Sequence, residues 1–141
     1  MHFPKLEFPM LKRLSPNTLR AVPERYQGIY VHGTQIASPS RFVFLSGQIG
    51  VAPDGTTRAG FKAQCNQAID NVEALLADAE MTTADILRVT YFVTDPDHLV
   101  SLSEVRQARW NQGTAPAVTT LVVAALAAPD LLVEIEVTAA K

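Results

Sequence analysis

The chain has 141 residues, of which 48% are hydrophobic and 18% charged, and it carries a net charge of −2 at pH 7. Its length fits a single domain with a substantial core, and its charge gives no general attraction to nucleic acid or to a membrane surface. The only cysteine, Cys65, excludes an internal disulfide, so we expect a protein of the reducing cytoplasm.

The first 27 residues contain four prolines and no sustained periodicity of apolar residues. This composition predicts an irregular leader over residues 1–27, followed by one domain over residues 28–141. Two runs rich in aromatic and β-branched residues then occur at 29–36 and 41–45. The turn-forming sequence ASPS between them predicts that the two runs pair as a β-hairpin.

Apolar residues recur at helical spacing from residue 61 to residue 80, which predicts a helix with one apolar side. Cys65 lies on this apolar stripe, and we interpret it as a core residue rather than a nucleophile. Residues 86–94 (ILRVTYFVT) are apolar on both faces and predict a central strand.

Asp95 and Pro96 predict the N-cap and the first position of a second helix, which extends to about Trp110. Its expected buried positions are Leu99, Leu102, Val105 and Trp110. Strands over 117–126 and 131–139 follow. This order of elements predicts an α+β fold, one sheet with both helices on one face. Two helices cannot cover both faces, so the free face either meets another subunit or makes the protein poorly soluble.

Two carboxylates share one face of the last predicted strand, where Glu134 and Glu136 alternate with apolar residues. One explanation is a solvent-facing or edge side of the strand. The other is that a glutamate acts as general acid or base on a small molecule bound in a cleft.

Two further polar residues lie at or near predicted strands. Ser46 ends a strand and precedes Gly47, where a hydroxyl and backbone N–H groups can meet a ligand. His32 shares a strand face with Tyr30, and we interpret it as structural, with a catalytic base as the alternative. The sequence contains no phosphate loop, dinucleotide fingerprint or metal-ligand cluster, so we expect no cofactor and no metal.

Six motifs in a fixed order resemble the Rid family (YjgF/YER057c/UK114). They are YVHG at 30–33, LSGQIG at 45–50, AQCNQAIDNVEALL at 63–76, DILRVTYFVTD at 85–95, TAPAVTT at 114–120 and VEIEVTA at 133–139. The resemblance covers residues 30–140. It implies a chorismate-mutase-like fold with one mixed sheet and two helices on one face, assembled as a homotrimer with ligand clefts between subunits.

The resemblance also implies an activity, the hydrolysis of reactive imines and enamines to a carbonyl compound and ammonia without a cofactor. In the family's deaminases an arginine follows the P-A pair and binds the substrate carboxylate, whereas this chain has Val118 at that position. The loss of a bidentate contact that only a guanidinium provides implies poor binding of classical 2-imino acids.

The other site positions are also assigned by the resemblance. Glu134 aligns with the glutamate that positions water and is the expected catalytic residue. Tyr30 and Ser46 match the family's pocket residues, and Ser103 stands where the family has an asparagine. The backbone at Val118 and Thr119 is expected to complete the substrate-binding wall.

Two functions from different classes follow. The first is a divergent Rid-type hydrolase of a small imine or enamine, and the second is a non-catalytic trimer that binds or responds to a small metabolite. An RNA-cleaving role is disfavoured by the acidic pI of about 5.9 and the lack of a basic stripe. The expected partners are therefore copies of the same chain and a small molecule, with no nucleic acid and no membrane.

Overall fold

The structure is a computed structural model that describes residues 11–111, 113 and 115–141. Besides three short 3₁₀ turns, the described residues form two α-helices and seven strands. They are β1 (Leu11–Leu14), β2 (Gly33–Ile36), β3 (Phe42–Phe44), β4 (Gln48–Ile49), α1 (Phe61–Asp78), β5 (Ile86–Val93), α2 (Leu99–Arg109), β6 (Ala117–Val122) and β7 (Val133–Ala140). None of the described helices is both long enough and apolar enough to cross a membrane.

The main sheet is mixed and has the strand order β3-β7-β5-β6, with β4 also paired to β7. Strands β5 and β6 are parallel and are connected through α2, while β7 is antiparallel to β3, β4 and β5. This arrangement confirms the predicted α+β fold with one mixed sheet.

Both helices pack on one face of this sheet. The apolar stripe of α1 contributes Cys65, Ile69 and Val72 to the core, and α2 contributes Leu102 and Val105. Alternate residues of the central strands meet them from the sheet; these are Val89, Tyr91, Val93, Val133, Ile135 and Val137. Because strand side chains alternate between faces, the intervening residues of β5 and β7 point away from the helices.

The predicted hairpin between residues 29–36 and 41–45 does not form. Strand β2 pairs instead with β1, from within the leader, and Leu11 lies opposite Ile36. Strand β3 pairs with β7, with Phe42 opposite Ala140. The turn residues are compatible with a hairpin, but the edge of the long strand β7 offers β3 a partner that short-range patterns do not reveal. Within the leader predicted as irregular over residues 1–27, residues 11–14 therefore form a strand, and residues 1–10 lie outside the described part of the chain.

The predicted helices are largely correct, and their ends have local causes. Helix α1 stops at Asp78, shortly before Glu80 adopts a positive φ of 57°. The Asp95 carboxylate accepts a hydrogen bond from the N–H of Asp97 (2.8 Å), which caps the short 3₁₀ turn that leads into α2. Leu99 was expected to be buried but is 37% exposed, because it faces a groove described below.

The face of the sheet without helices carries exposed apolar residues. Phe42 and Phe44 alternate with Val43, which packs against the core, so both rings point to this open face. Their ring centroids are 6.2 Å apart, and the Phe44 residue is 77% exposed. Leu121 of β6 lies opposite Phe92 on the same face and is 44% exposed. An apolar sheet face of this kind is typical of an interface.

Candidate functional site

A small cavity of about 150 Å³ lies where α2 meets the start of β6. Its lining consists of Tyr26, Tyr30, Arg106, Val118 and Thr120. A larger groove of about 940 Å³ runs along α2 and shares three of these residues, Tyr26, Arg106 and Thr120. Small-molecule sites commonly occupy about 300–1,000 Å³, so the groove and the cavity together suit a small metabolite.

The pairing of β6 with β5 determines which face of the sheet two of the lining residues, Val118 and Thr120, are on. Val118 lies opposite Val89 and Thr120 opposite Tyr91, and both of these β5 residues face the helices. Because paired residues share a face, Val118 and Thr120 point toward α2. Val118 packs against the edge of the core and forms an uncharged wall.

Tyr30 reaches the cavity because the preceding chain turns sharply. Gly28 has a φ of 86°, a backbone conformation that favours glycine, and a Cβ atom on it would displace the Asn111 side chain, whose Oδ1 would lie 2.3 Å away. Val31 then donates its N–H to the carbonyl of Pro116 (3.0 Å), which holds the segment against β6. This contact positions the Tyr30 side chain beside Val118.

Arg106 of α2 is a lining residue that the sequence reasoning missed. It is only 8% exposed, and its guanidinium lies over the Tyr91 ring at 5.0 Å from the centroid. It follows Leu102 by four positions and therefore lies on the same side of the helix. The signal for it in the sequence is its helical spacing from Leu102, which puts a charged residue on the buried side of α2. Ser103 lines the larger groove and lies within 3.4 Å of the guanidinium.

Glu134 lies on the opposite face of the sheet. Its neighbours Val133 and Ile135 are fully buried under the helices, so the Glu134 side chain points to the open face. There it packs against the LSGQIG segment, because a Cβ atom on Gly47 would lie 2.6 Å from Cδ of Glu134. Close contact with the backbone explains the glycine and places the exposed Ser46 next to the glutamate.

Thr119 and Glu136 also lie on the open face. The Thr119 hydroxyl accepts a hydrogen bond from Nη2 of Arg88 (2.9 Å). Glu136 lies opposite Thr90 of β5 and is exposed. Within one chain the predicted site residues thus form two groups, which we call the helix-side group (Tyr30, Ser103 and Val118) and the open-face group (Ser46, Thr119 and Glu134). The sheet separates the two groups.

His32 makes a contact typical of a structural residue. Its Nε2 lies 2.6 Å from the carbonyl oxygen of Arg20, and its ring meets Tyr30 edge to face at 6.3 Å between centroids. His32 therefore connects the leader, at Arg20, to the segment that contains Tyr30. This contact favours the structural interpretation over the catalytic one.

Cys65 is completely buried, and this burial raises the pKa of its thiol from 9.0 to about 12. We expect it to resist 5,5′-dithiobis(2-nitrobenzoate) at pH 8 in the native protein and to react after unfolding in guanidinium chloride, since the thiolate is the reactive form. Because its pKa is raised, ionisation of Cys65 lowers the free energy of unfolding as the pH rises from 9 toward 12 and has no such effect below pH 9. Rapid labelling of native protein at pH 8 would contradict a core position.

Comparison with known proteins gives the chain its family. The profile of the family described as Endoribonuclease L-PSP matches residues 24–141. The chain belongs to the Rid (YjgF/YER057c/UK114) family. A RutC family protein of Aquifex aeolicus is 34% identical over 110 residues, which cover 77% of this chain and 87% of the relative.

Two further Rid-family proteins are similar to this chain. The 2-iminobutanoate/2-iminopropanoate deaminase of Escherichia coli is 32% identical over 117 residues, covering 81% of this chain and 88% of that protein. The crystal structure of YyfB from Yersinia pestis, a Rid-family protein of unknown function, superimposes with a TM-score of 0.82 at 26% identity. That superposition covers 94% of this chain and 99% of YyfB. The Rid fold is thus shared along almost the whole chain.

Proposed function

We propose that this Rid-family protein hydrolyses a small imine or enamine to the carbonyl compound and ammonia, without a cofactor. The observation that carries the proposal is the pair of site groups on the two faces of one sheet. Each face offers half of a cleft: an apolar and aromatic wall at Tyr30 and Val118, and a carboxylate at Glu134 beside Ser46. A family relative with 32% identity is a 2-iminobutanoate/2-iminopropanoate deaminase, which supports this reaction class.

The two groups can meet if copies of the chain associate through their open faces. The exposed Phe42, Phe44 and Leu121 provide the apolar surface for such an association. In the proposed homotrimer, the helix-side group of one subunit lies against the open-face group of its neighbour. A closed ring of this kind makes every cleft equivalent.

The chemistry requires only water and side chains. An enamine first tautomerises to the imine, and water then adds to the carbon of the C=N bond while the nitrogen is protonated. The C–N bond of the resulting carbinolamine breaks, ammonia leaves, and the carbonyl group forms. We assign Glu134 to hold the water, to accept its proton and to return that proton to the substrate nitrogen, because an ionised carboxylate is acceptor-only and can orient a water molecule. The carboxylate is thereby regenerated when ammonia leaves.

Val118 limits the substrate charge that the strand wall can bind. Since valine offers no hydrogen bond, the strand wall cannot bind a carboxylate as an arginine at that position would, and an uncharged imine is the simplest substrate for this wall. Arg106 lines the same cavity from α2, so this restriction applies to the strand wall and not to the whole cavity.

The test is ammonia release from freshly generated 2-aminoacrylate and from a panel of uncharged imines, with wild type and Val118→Arg. Wild type is expected to accelerate the hydrolysis of at least one of these compounds by about 100-fold or more over buffer, the usual contribution of a positioned acid–base group. If wild type hydrolyses none of them, the enzymatic proposal is wrong. Gain of 2-aminoacrylate hydrolysis only in Val118→Arg would show an intact cleft without any carboxylate anchor.

The alternative is a non-catalytic trimer that binds a small metabolite in the same cleft, and the uncharged Val118 wall favours it over a classical deaminase. Saturable binding of substrate analogues without ammonia release would support this alternative. RNA cleavage is not proposed, because the net charge of −2 provides no attraction to a phosphate backbone.

A further inference from the structure

Arg106 is a buried cation without a counter-charge in the described part of the chain. Its Nε atom is buried and has no hydrogen-bond partner among the residues that the structure describes. Its one hydrogen bond there to another side chain is long, from Nη2 to the Ser103 hydroxyl at 3.4 Å. Over residues 11–111, 113 and 115–141, no carboxylate oxygen lies within 4.0 Å of the guanidinium.

Such an arrangement costs free energy unless something else pairs with the charge. Buried charged groups in proteins are almost always paired and hydrogen-bonded, since an unpaired one forfeits its hydration. The contact with the Tyr91 ring compensates in part, because the face of an aromatic ring attracts a cation. It leaves the buried Nε–H without an acceptor among the described residues, and Nη2 with only the long bond to Ser103.

A nearby arginine makes a contrast. Arg109, one turn further along α2, is paired with Asp70 at 2.7 Å and with Glu73 at 3.3 Å. These two carboxylates raise the pKa of Arg109 above its ordinary value against the effect of its burial. The chain therefore supplies partners for the arginine that holds α2 to α1, and none of the described residues does the same for Arg106.

The surroundings of Arg106 suit an anion. It lines both the small cavity and the larger groove, and Arg25 adds a second guanidinium to the groove. The groove also contains one carboxylate, Glu104, but that group is paired with Lys62. Val118 also lines the small cavity, and its apolar side chain cannot pair with the guanidinium.

We propose that Arg106 binds the carboxylate of a small 2-oxo or 2-imino acid, so that the anion lies against α2 rather than against β6. The identity of the cavity as the ligand site rests on the proposed function. A guanidinium presents its N–H groups in a planar fork that matches a carboxylate, and such charge-assisted bonds are stronger than neutral ones. An apolar residue at position 118 is then compatible with carboxylate binding, because Arg106 of α2 supplies the guanidinium.

The experiment compares pyruvate with pyruvamide, which differ only in the replacement of the carboxylate by an uncharged amide. Their affinities are measured by isothermal titration calorimetry, so the result does not depend on turnover. Wild type is expected to bind pyruvate at least about tenfold more tightly than pyruvamide, the effect of one charge-assisted hydrogen bond. Arg106→Gln should lose this preference while its affinity for pyruvamide changes little.

Two variants complete the test. Arg106→Lys keeps the charge but not the planar fork, so it should retain part of the preference and serves if Arg106→Gln does not fold. Arg41→Gln removes the same charge at a distant site, where the Arg41 side chain contacts the carbonyl oxygens of Ala79 and Glu80, and should bind as wild type does. Equal affinity of wild type for the two probes, or an unchanged preference in both Arg106 variants, would overturn the inference.

The ammonia assay separates this inference from the proposed function. If Arg106→Gln hydrolyses every charged imine as fast as wild type does, Arg106 does not bind the substrate carboxylate, but the proposed hydrolase activity stands. Carboxylate-selective binding that depends on Arg106, without any ammonia release, would support the anchor and refute the hydrolase. Hydrolysis of 2-aminoacrylate by Val118→Arg but not by wild type would also contradict an anchor on α2.

Discussion

Glu134→Gln is expected to reduce imine hydrolysis by at least about 100-fold, which is the usual contribution of a positioned acid–base group. The glutamine keeps the size of the side chain but cannot accept a proton from water. Because Glu134 is held against the backbone at Gly47, the amide occupies the same place and the fold should be unaffected. The measurement is the initial rate of ammonia release, with circular dichroism to verify folding.

Glu136→Gln is the matched control for this substitution. Glu136 lies two positions away on the same face of β7 and is exposed, and none of the proposed steps uses it. Its variant should retain nearly the full rate. If both variants lose activity to the same extent, the negative charge of the face is what matters and Glu134 has no specific role. If neither variant loses activity, the assignment of Glu134 is wrong.

Phe44→Asp is expected to convert the proposed trimer to monomers and to abolish turnover at the same time. Burial of a phenylalanine side chain stabilises an interface by about 1.5–3 kcal/mol. The Phe44→Asp trimer would lose this free energy in every subunit and would bury an aspartate charge in every subunit instead. Phe44 is highly exposed in the single chain and stacks on Phe42, so the substitution should leave the monomer folded. Light scattering measures the mass, and the ammonia assay measures the activity.

Leu75→Asp provides the comparison for Phe44→Asp. Leu75 lies on α1 and is 37% exposed on the helix-covered side of the sheet, away from the open face. This variant should remain a trimer. A wild-type protein that is monomeric at micromolar concentration would contradict the open-face interface, and a fully active Phe44→Asp monomer would contradict a site shared between subunits.

Local sequence patterns predicted the parts of the fold that repeat with a regular period. The stripe of α1, the central strand at Ile86–Val93 and the cap at Asp95 follow from spacing and capping rules that act over a few residues. The partner of β3 did not follow, because strand pairing is decided by distant edges. For the same reason the leader's strand Leu11–Leu14 was missed, since its partner β2 lies about 20 residues away.

The candidate site was predictable only in pieces. Glu134 and Val118 could be chosen from motifs, but their placement on opposite faces depends on the pairing of β6 with β5 and of β5 with β7. Helical spacing puts Arg106 on the same side of α2 as Leu102 but does not show that it lines a cavity, because the long side chain of an arginine usually reaches solvent. Its burial becomes evident once α2 lies over Tyr91.

We propose that one cleft combines the helix-side group of one subunit with the open-face group of another. The most direct measurement mixes two inactive variants, Val118→Trp, which fills the cavity, and Glu134→Gln, by refolding them together. Random trimers should place an intact Val118 wall against an intact Glu134 in about one quarter of the clefts, and this fraction of the wild-type ammonia release should return. A mixture that stays inactive, although mixed trimers form, would contradict the shared cleft.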